Sequence, residues 1–215
     1  MKPGFGLSVL AERVGEGSWA LPLGIAWIPL EHGPTSFDSE QIKAFVKAHV
    51  WTANYVLDVD SQYTVRPFLK PVVGEGVNVL GRVLNNRCFY LPIKQYSGFG
   101  RPAHLGAKFK INDPKTHPRT DRVGSWKLGT GGRIEVRCWL DVLQKGLALQ
   151  SLTLYQVIEY RADGKRRYLR PLWLLFVASR GRTAETRPAQ APTTRQTKAI
   201  YDERFSVEQF IRFEK

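Results

Sequence analysis

The sequence is short of the residues that staple or metallate small folds. Two cysteines, Cys88 and Cys138, occur in 215 residues, far apart and in no ligand-like cluster. No C-x-x-C and no H-x-x-x-H is present. A secreted disulfide framework and a structural zinc site are therefore not expected, and a reducing cytosol is the easier setting. The four histidines, His32, His49, His104 and His117, lack partner spacing, which argues against a histidine-activated nucleophile. Apolar runs are short. Pro171 to Ala178, among the longest, is far below the ~20 residues that span a bilayer. The first residues hold one lysine and no apolar signal core, so no membrane partner and a cytoplasmic, nucleoid-associated location are expected. Acidic residues are also scarce: 19 Asp and Glu stand against 32 Lys and Arg, a net charge of +13.

That imbalance is the first positive signal, because a basic surface is the electrostatic footprint of a polyanion partner. No basic helix carries an apolar face, so nucleic acid is favoured over a membrane surface. Hydrophobic residues make up 43% of the chain, enough to bury a core without staples. The length suits one large domain, or a core with a sizeable insertion.

Periodicity predicts an α/β chain. Gly6–Val14 and Trp19–Leu30 read as strands around the turn Gly15-Glu16-Gly17-Ser18, a hairpin. Ser36 or Asp38 reads as the N-cap of a helix carrying Ile42, Phe45, Val46 and His49-Val50. A short strand through Tyr55, Val56 and Leu57 ends in Asp58-Val59-Asp60, followed by a helix over Val65–Val73 and a strand over Val77–Tyr90, broken near Asn85-Asn86. Tyr96–Lys127 is polar and rich in glycine and proline, and is predicted to be surface loop. Arg133–Val142, Leu152–Tyr160 and Tyr168–Ala178 read as antiparallel strands, the last two joined at Asp163-Gly164. Ser179–Thr197 reads as a basic linker, and one helix runs from about Arg195 onward.

The last helix carries the most chemistry. At about 100° per residue, with Tyr201 at zero, Arg204, Glu208 and Lys215 fall near 300°, 340° and 320°. All four share an arc roughly 60° wide, flanked by Val207 and Ile211. A carboxylate held among cations and a phenol suits a metal ligand beside a phosphate. The plainer reading of the stripe is a solvated face with ordinary ion pairs. Upstream, Asp60 leaves an apolar strand, and open sheets gather ligands at such carboxyl ends. Asp58, two residues earlier on the same strand face, is its rival. A turn that ends a strand is the plainer reading of both, since aspartates are common there.

Tyr201-x2-Arg204-x3-Glu208-x6-Lys215 resembles the Tyr-Arg-Glu-Lys signature of a large group of bacterial insertion-sequence transposases with a DDE active site. Asp60-Ser61-Gln62-Tyr63 is similar to that group's second catalytic aspartate and the tyrosine after it, which favours Asp60 over Asp58. Tyr96-Ser97-Gly98-Phe99-Gly100-Arg101-Pro102, with His104, Gly106, Lys108, Phe109 and Asp113, also resembles a subset of the group. The 148 positions from Asp60 to Glu208 leave room for the β-rich insertion these enzymes place there.

The resemblance implies an RNase H-like fold: a mixed sheet with helices on its faces and a mainly β insertion before the last helix. It divides the chain into a first core part (1–92), a loop-rich β insertion (93–180), a basic linker (181–197) and a core helix carrying the catalytic glutamate (198–215). It implies metal-dependent cleavage and strand transfer of transposon-end DNA. Asp60 and Glu208 would be metal ligands for two Mg²⁺ ions, with Mn²⁺ as a substitute. Tyr201, Arg204 and Lys215 would orient phosphates or the carboxylate. Arg101, Arg166 and Arg167 are further DNA-contacting candidates, and a homodimer on paired ends acting on target DNA is implied.

One departure stands out. The first catalytic aspartate belongs on an opening strand, yet no aspartate precedes Asp38, which sits at a helix start. Glu12 and Glu16 lie on the hairpin, where the family places no ligand. An N-terminally truncated chain, inactive alone, is therefore expected.

The remaining signals are ambiguous. Lys165-Arg166-Arg167 and Arg170 suit phosphates or a solvated rim. Trp126, Trp139 and Trp173 suit base stacking or core packing, with packing favoured for Trp173. Gly129-Thr130-Gly131-Gly132 precedes a strand and makes a poor phosphate cradle. Two rival functions remain: a catalytically inactive DNA-binding remnant, and an unrelated Mg²⁺-dependent nuclease built on Ile134-Glu135-Val136-Arg137.

Overall fold

Branched and aromatic residues build the strands, and one sheet joins most of them. The computed structural model describes residues 6–13, 20–29, 31–49, 56–93, 104–147, 152–179 and 190–213, with the side chains of 6, 7, 13 and 204–213 set aside. Strands β1 (Gly6–Arg13) and β2 (Ala20–Ile28) form an antiparallel hairpin. Helix α1 (Pro34–Ala48) and strand β3 (Val56–Val59) follow. A 3-10 turn (Ser61–Tyr63), helix α2 (Arg66–Gly74), β4 (Asn78–Arg82) and β5 (Cys88–Tyr90) come next. Then come β6 (Lys108–Lys110), β7 (Arg122–Lys127), β8 (Arg133–Val142), β9 (Leu152–Tyr160), β10 (Leu172–Val177) and helix α3 (Thr194–Phe213).

The chain is thus mixed α/β, with three α-helices and a mixed six-stranded sheet, in the order β3-β4-β10-β9-β8-β7, among the described residues. Among the described residues only β3 and β4 pair in parallel, with α2 between them in the chain. One face of the sheet packs on α1 and α2 through Ile42, Val46, Phe68, Leu69, Val72 and Val73. The other face holds Leu80, Ile134, Val136, Tyr155, Leu174 and Phe176, together with Tyr201 of α3. The β4–β10 pairing carries the sheet without interruption from the segment expected as core into that expected as insertion.

Several expectations need correction. The first helix begins at Pro34 with Gly33 as its cap, not at Ser36 or Asp38. Proline, with φ preset and no N–H to lose, opens a helix without a side-chain cap. Ser36 Oγ instead donates back to Gly33 O at 2.8 Å. The predicted loop Tyr96–Lys127 contains β6 and β7 among its described residues. Strand β7 escapes sequence reading because it is an edge strand, exposed along most of its length, with little apolar alternation. It pairs with β8 from Arg122↔Cys138 to Lys127↔Arg133. Gly129-Thr130-Gly131-Gly132 forms the connection between them, with Gly131 at φ +80°. The last strand starts at Leu172, not Tyr168, because residues 161–170 form an exposed excursion.

Candidate nucleic-acid and carboxylate site

The pleat decides which residues share a face. In β3, Leu57 and Val59 join the core under α1 and α2, while Val56 packs with the opposite cluster. Alternation places Asp58 on the α3 face with Val56. Asp60 continues extended (φ −77°, ψ 171°), so it follows on that face at the carboxyl end of β3. Both carboxylate oxygens of Asp58 are buried, and Asp58 lies beside Leu80 in the parallel register. Asp60 is exposed, and its carboxylate accepts from Ser61 N at 2.7 Å, capping the turn that follows.

That turn is fastened twice. Thr64 Oγ1 donates to Ser61 O at 2.9 Å and lies 3.0 Å from Arg82 O. Tyr63 donates its hydroxyl to the buried carboxylate of Asp38 on α1. Burial, reinforced by that bond, holds the Tyr63 phenol well above its ordinary pKa. Gly81 makes the seam possible, since a Cβ there would lie 2.6 Å from both Val59 and Thr64. Asp38 is thus tied to the Asp60 turn through Tyr63, although sequence spacing shows only a helix start.

Helix α3 reaches this region from the far side of the sheet. Its first turn sits on β7: a Cβ on Gly124 would fall 2.1 Å from Thr194 Oγ1, so only glycine admits this approach. Tyr155 of β9 donates to Pro192 O at 2.6 Å. Lys198 lies 3.4 Å from Glu159 and 2.5 Å from Asp202. Tyr201, 9% exposed, shares a cluster with Leu80 of β4. The helix also packs against β3 and the β1–β2 hairpin. It therefore runs from the β7 edge toward the β3 edge, on the face that carries Asp58 and Asp60. Arg204 and Glu208 lie on the later turns of this helix, and their side chains fall outside the described residues, as do Arg101 and Lys215.

Sequence reasoning missed two cations here. Arg82 ends β4, exposed, with the parity of Leu80, and so belongs to the Asp60 face. Lys198 lies on α3. Strand parity could have flagged Arg82, and one turn back from Asp202 could have flagged Lys198. Both line a recess of about 420 Å³ with Tyr201, Glu159, Tyr168 and Arg170.

The β9–β10 excursion borders that recess. All of residues 161–170 are exposed, and five of the ten are Lys or Arg. A tight turn at Asp163-Gly164, with Gly164 at φ +77° and Lys165 N donating to Asp163 Oδ1 at 3.0 Å, projects them. Arg166 and Arg167 both lie here. Arg167 also approaches Glu159 (3.6 Å) and the Tyr168 ring (5.5 Å). Trp139 and Trp173 are 3% and 2% exposed and stack on each other, so both are packed in the core. Trp126 is half-buried beneath the Arg195 guanidinium.

Asp58 and Asp60 are hard oxygen donors of the kind that bind Mg²⁺. Among the described residues, no group of three or more His, Cys, Asp or Glu is placed to hold a metal. The donor chemistry fits such an ion, while the described side chains supply too few ligands to enclose one. No helix among the described residues is long and apolar enough to cross a membrane. Compared with known proteins, the chain matches no family model, and no curated protein matches it.

Proposed function

We propose that this chain is of the DDE transposase type, with an RNase H-like core, acting on transposon-end and target DNA. One observation carries the reading: Asp60 leaves the carboxyl end of a parallel-paired strand on the face crossed by the helix that bears Tyr201, Arg204 and Glu208. Asp60 is favoured over Asp58 because it is exposed, within reach of a phosphodiester, whereas both carboxylate oxygens of Asp58 are buried.

In this reading Asp60 and Glu208 would hold Mg²⁺, which when bound lowers the pKa of an attacking water or 3′-hydroxyl and stabilises the leaving oxygen. The protein's own residues do the positioning. Asp38 and Tyr63 fix the turn carrying Asp60. Arg82, Lys198 and the excursion at 161–170 supply positive charge along the path of a phosphate backbone. A third carboxylate, which the resemblance assigns to an opening strand, is needed to fix both ions.

The test is DNA nicking in Mg²⁺. Residues 1–215 are expected to bind DNA and leave it uncut. Fusion of an opening strand carrying an aspartate should restore cleavage, and Glu208→Gln or Asp60→Asn in that fusion should lower it by orders of magnitude, as loss of a metal ligand does. Robust cleavage by the unextended chain would overturn the ligand assignment and direct attention to Asp38, Asp58 and Glu12. The second reading is a non-catalytic DNA-binding protein, supported by the exposed basic excursion at 161–170, which needs no metal to meet a phosphate backbone. It predicts no cleavage from any extension.

A further inference from the structure

One row marks where the apolar face of the sheet gives way to polar residues, with Glu135 and Arg133 of β8 beyond it. Arg137 of β8, Gln156 of β9 and Trp173 of β10 stand side by side in register. The next row toward the core is Trp139, Leu154 and Leu175, all buried and apolar. Gln156 is 8% exposed, and among the described residues its Oε1 has no hydrogen-bond partner. Burying a carboxamide oxygen without a donor is unfavourable, and packing alone would select an apolar residue in that place.

The space above Gln156 is a recess of about 580 Å³, also lined by Asn85, Arg166 and Arg170. Volumes of this order hold small-molecule ligands. Arg137 is engaged by Glu135 at 2.8 Å. Arg166 and Arg170 have no carboxylate partner among the described residues and stand at the mouth, in the exposed excursion. The recess therefore offers a buried acceptor at its floor and unneutralised guanidinium groups at its rim.

We propose that this recess binds an adenine nucleotide, its base on Gln156 and its phosphate on Arg166 and Arg170. A glutamine carboxamide matches the N6–H and N7 edge of adenine, accepting through Oε1 and donating through Nε2. Guanidinium groups match phosphate oxygens. The nucleotide is either a single unpaired residue of a DNA strand or a free adenylate. The site goes beyond the transposase reading and needs neither the metal nor the Asp60 carboxylate.

The test uses the whole chain without metal. Binding of single-stranded oligo-dA, oligo-dT, dAMP and deoxyadenosine is measured by calorimetry, alongside thermal melting. Oligo-dA is expected to bind at least about tenfold more tightly than oligo-dT, the discrimination a bidentate base contact provides. Gln156→Leu should erase that preference with Tm unchanged or raised, since the substitution removes a buried polar group that the fold itself does not use. The Arg166→Ala/Arg170→Ala pair, both exposed, should weaken dAMP and leave deoxyadenosine unchanged. Affinity for dAMP equal to that of the oligonucleotide identifies free adenylate as the ligand. A large excess for the oligonucleotide identifies a nucleotide of a strand. Equal dA and dT affinities in the unaltered chain would overturn the proposal. So would a preference that survives Gln156→Leu, or a lowered Tm in that variant with dAMP binding intact. Because no cleavage is read, failure here leaves the metal-site assignment standing, and failure there leaves this pocket standing.

Discussion

The middle of the six-stranded sheet and its β3 end are built differently. Strand β9 is flanked by β8 and β10, and its residues Leu152 to Ile158 are all buried. At one end β3 spans four residues and is hydrogen-bonded within the sheet to β4 alone. The neighbouring β1–β2 hairpin forms its own two-stranded sheet and leaves Leu21, Ile25 and Trp27 54%, 51% and 68% exposed. Stability thus concentrates around β8–β10, while Asp60 stands at the thinly built end. Local stability is distributed unevenly in this way around many functional elements.

Core truncation is the strongest way to break that contrast. Leu154→Ala, in a strand buried on both faces, should cost about 2–5 kcal/mol by chemical denaturation, as cavities in rigid cores do. Trp27→Ala on the hairpin should cost about 0.5 kcal/mol or less, as surface substitutions do. Similar losses from both would show that the hairpin is as tightly integrated as β9. A smaller effect concerns the excursion beside the recess. Replacing Lys165, Arg166 and Arg167 together by Ala should flatten the plot of log DNA affinity against log salt by up to about 0.9 per lost phosphate contact. An unchanged slope would show that the excursion makes no phosphate contact. Smaller again, Tyr63→Phe leaves the buried Asp38 carboxylate without its phenolic donor and should cost about 1–2 kcal/mol. Loss of that magnitude, matched by Asp38→Ala, would show that α1 and the Asp60 turn are joined through this bond.

Much of the scaffold was legible because hydrophobic periodicity reports burial. The hairpin, α1, α2 and the strands around Val136, Leu154 and Leu174 were read from their patterns, and the structure has them as elements. Strand β7 was not legible, since it carries Arg122, Ser125 and Lys127 and gains its place by pairing with β8. The site divides the same way. Asp60 was found from the end of an apolar strand, and its position at the carboxyl end of β3 follows from that local pattern. Arg82, Lys198 and the Asp38–Tyr63 bond depend on register and on helix placement, which no local window contains. Gln156 is the clearest case: one polar residue among apolar neighbours in β9 was visible in the sequence, but only the sheet shows that it opens onto a recess lined by arginines.

The smallest expected effect uses the two thiols to report on the same contrast. Cys138 is 1% exposed in the middle of β8, and burial pushes its thiol up to about 11. Cys88, on the short strand β5 outside the main sheet, is half-buried. The thiolate is the reactive form, so at pH 8 an alkylating reagent should modify Cys88 and leave Cys138 intact in the folded protein. The sign of the pH dependence follows from the raised value. The folded state holds the Cys138 proton more tightly than the unfolded chain, so this contribution to stability is complete below pH 9 and is lost as pH rises through about 11. Cys138→Ala should remove that alkaline component of the stability profile while leaving the neutral-pH denaturation cooperative. Rapid labelling of both cysteines at pH 8 without denaturant would mean that β8 opens as readily as β5, and the middle of the sheet would lose its distinction from the thinly built parts around it.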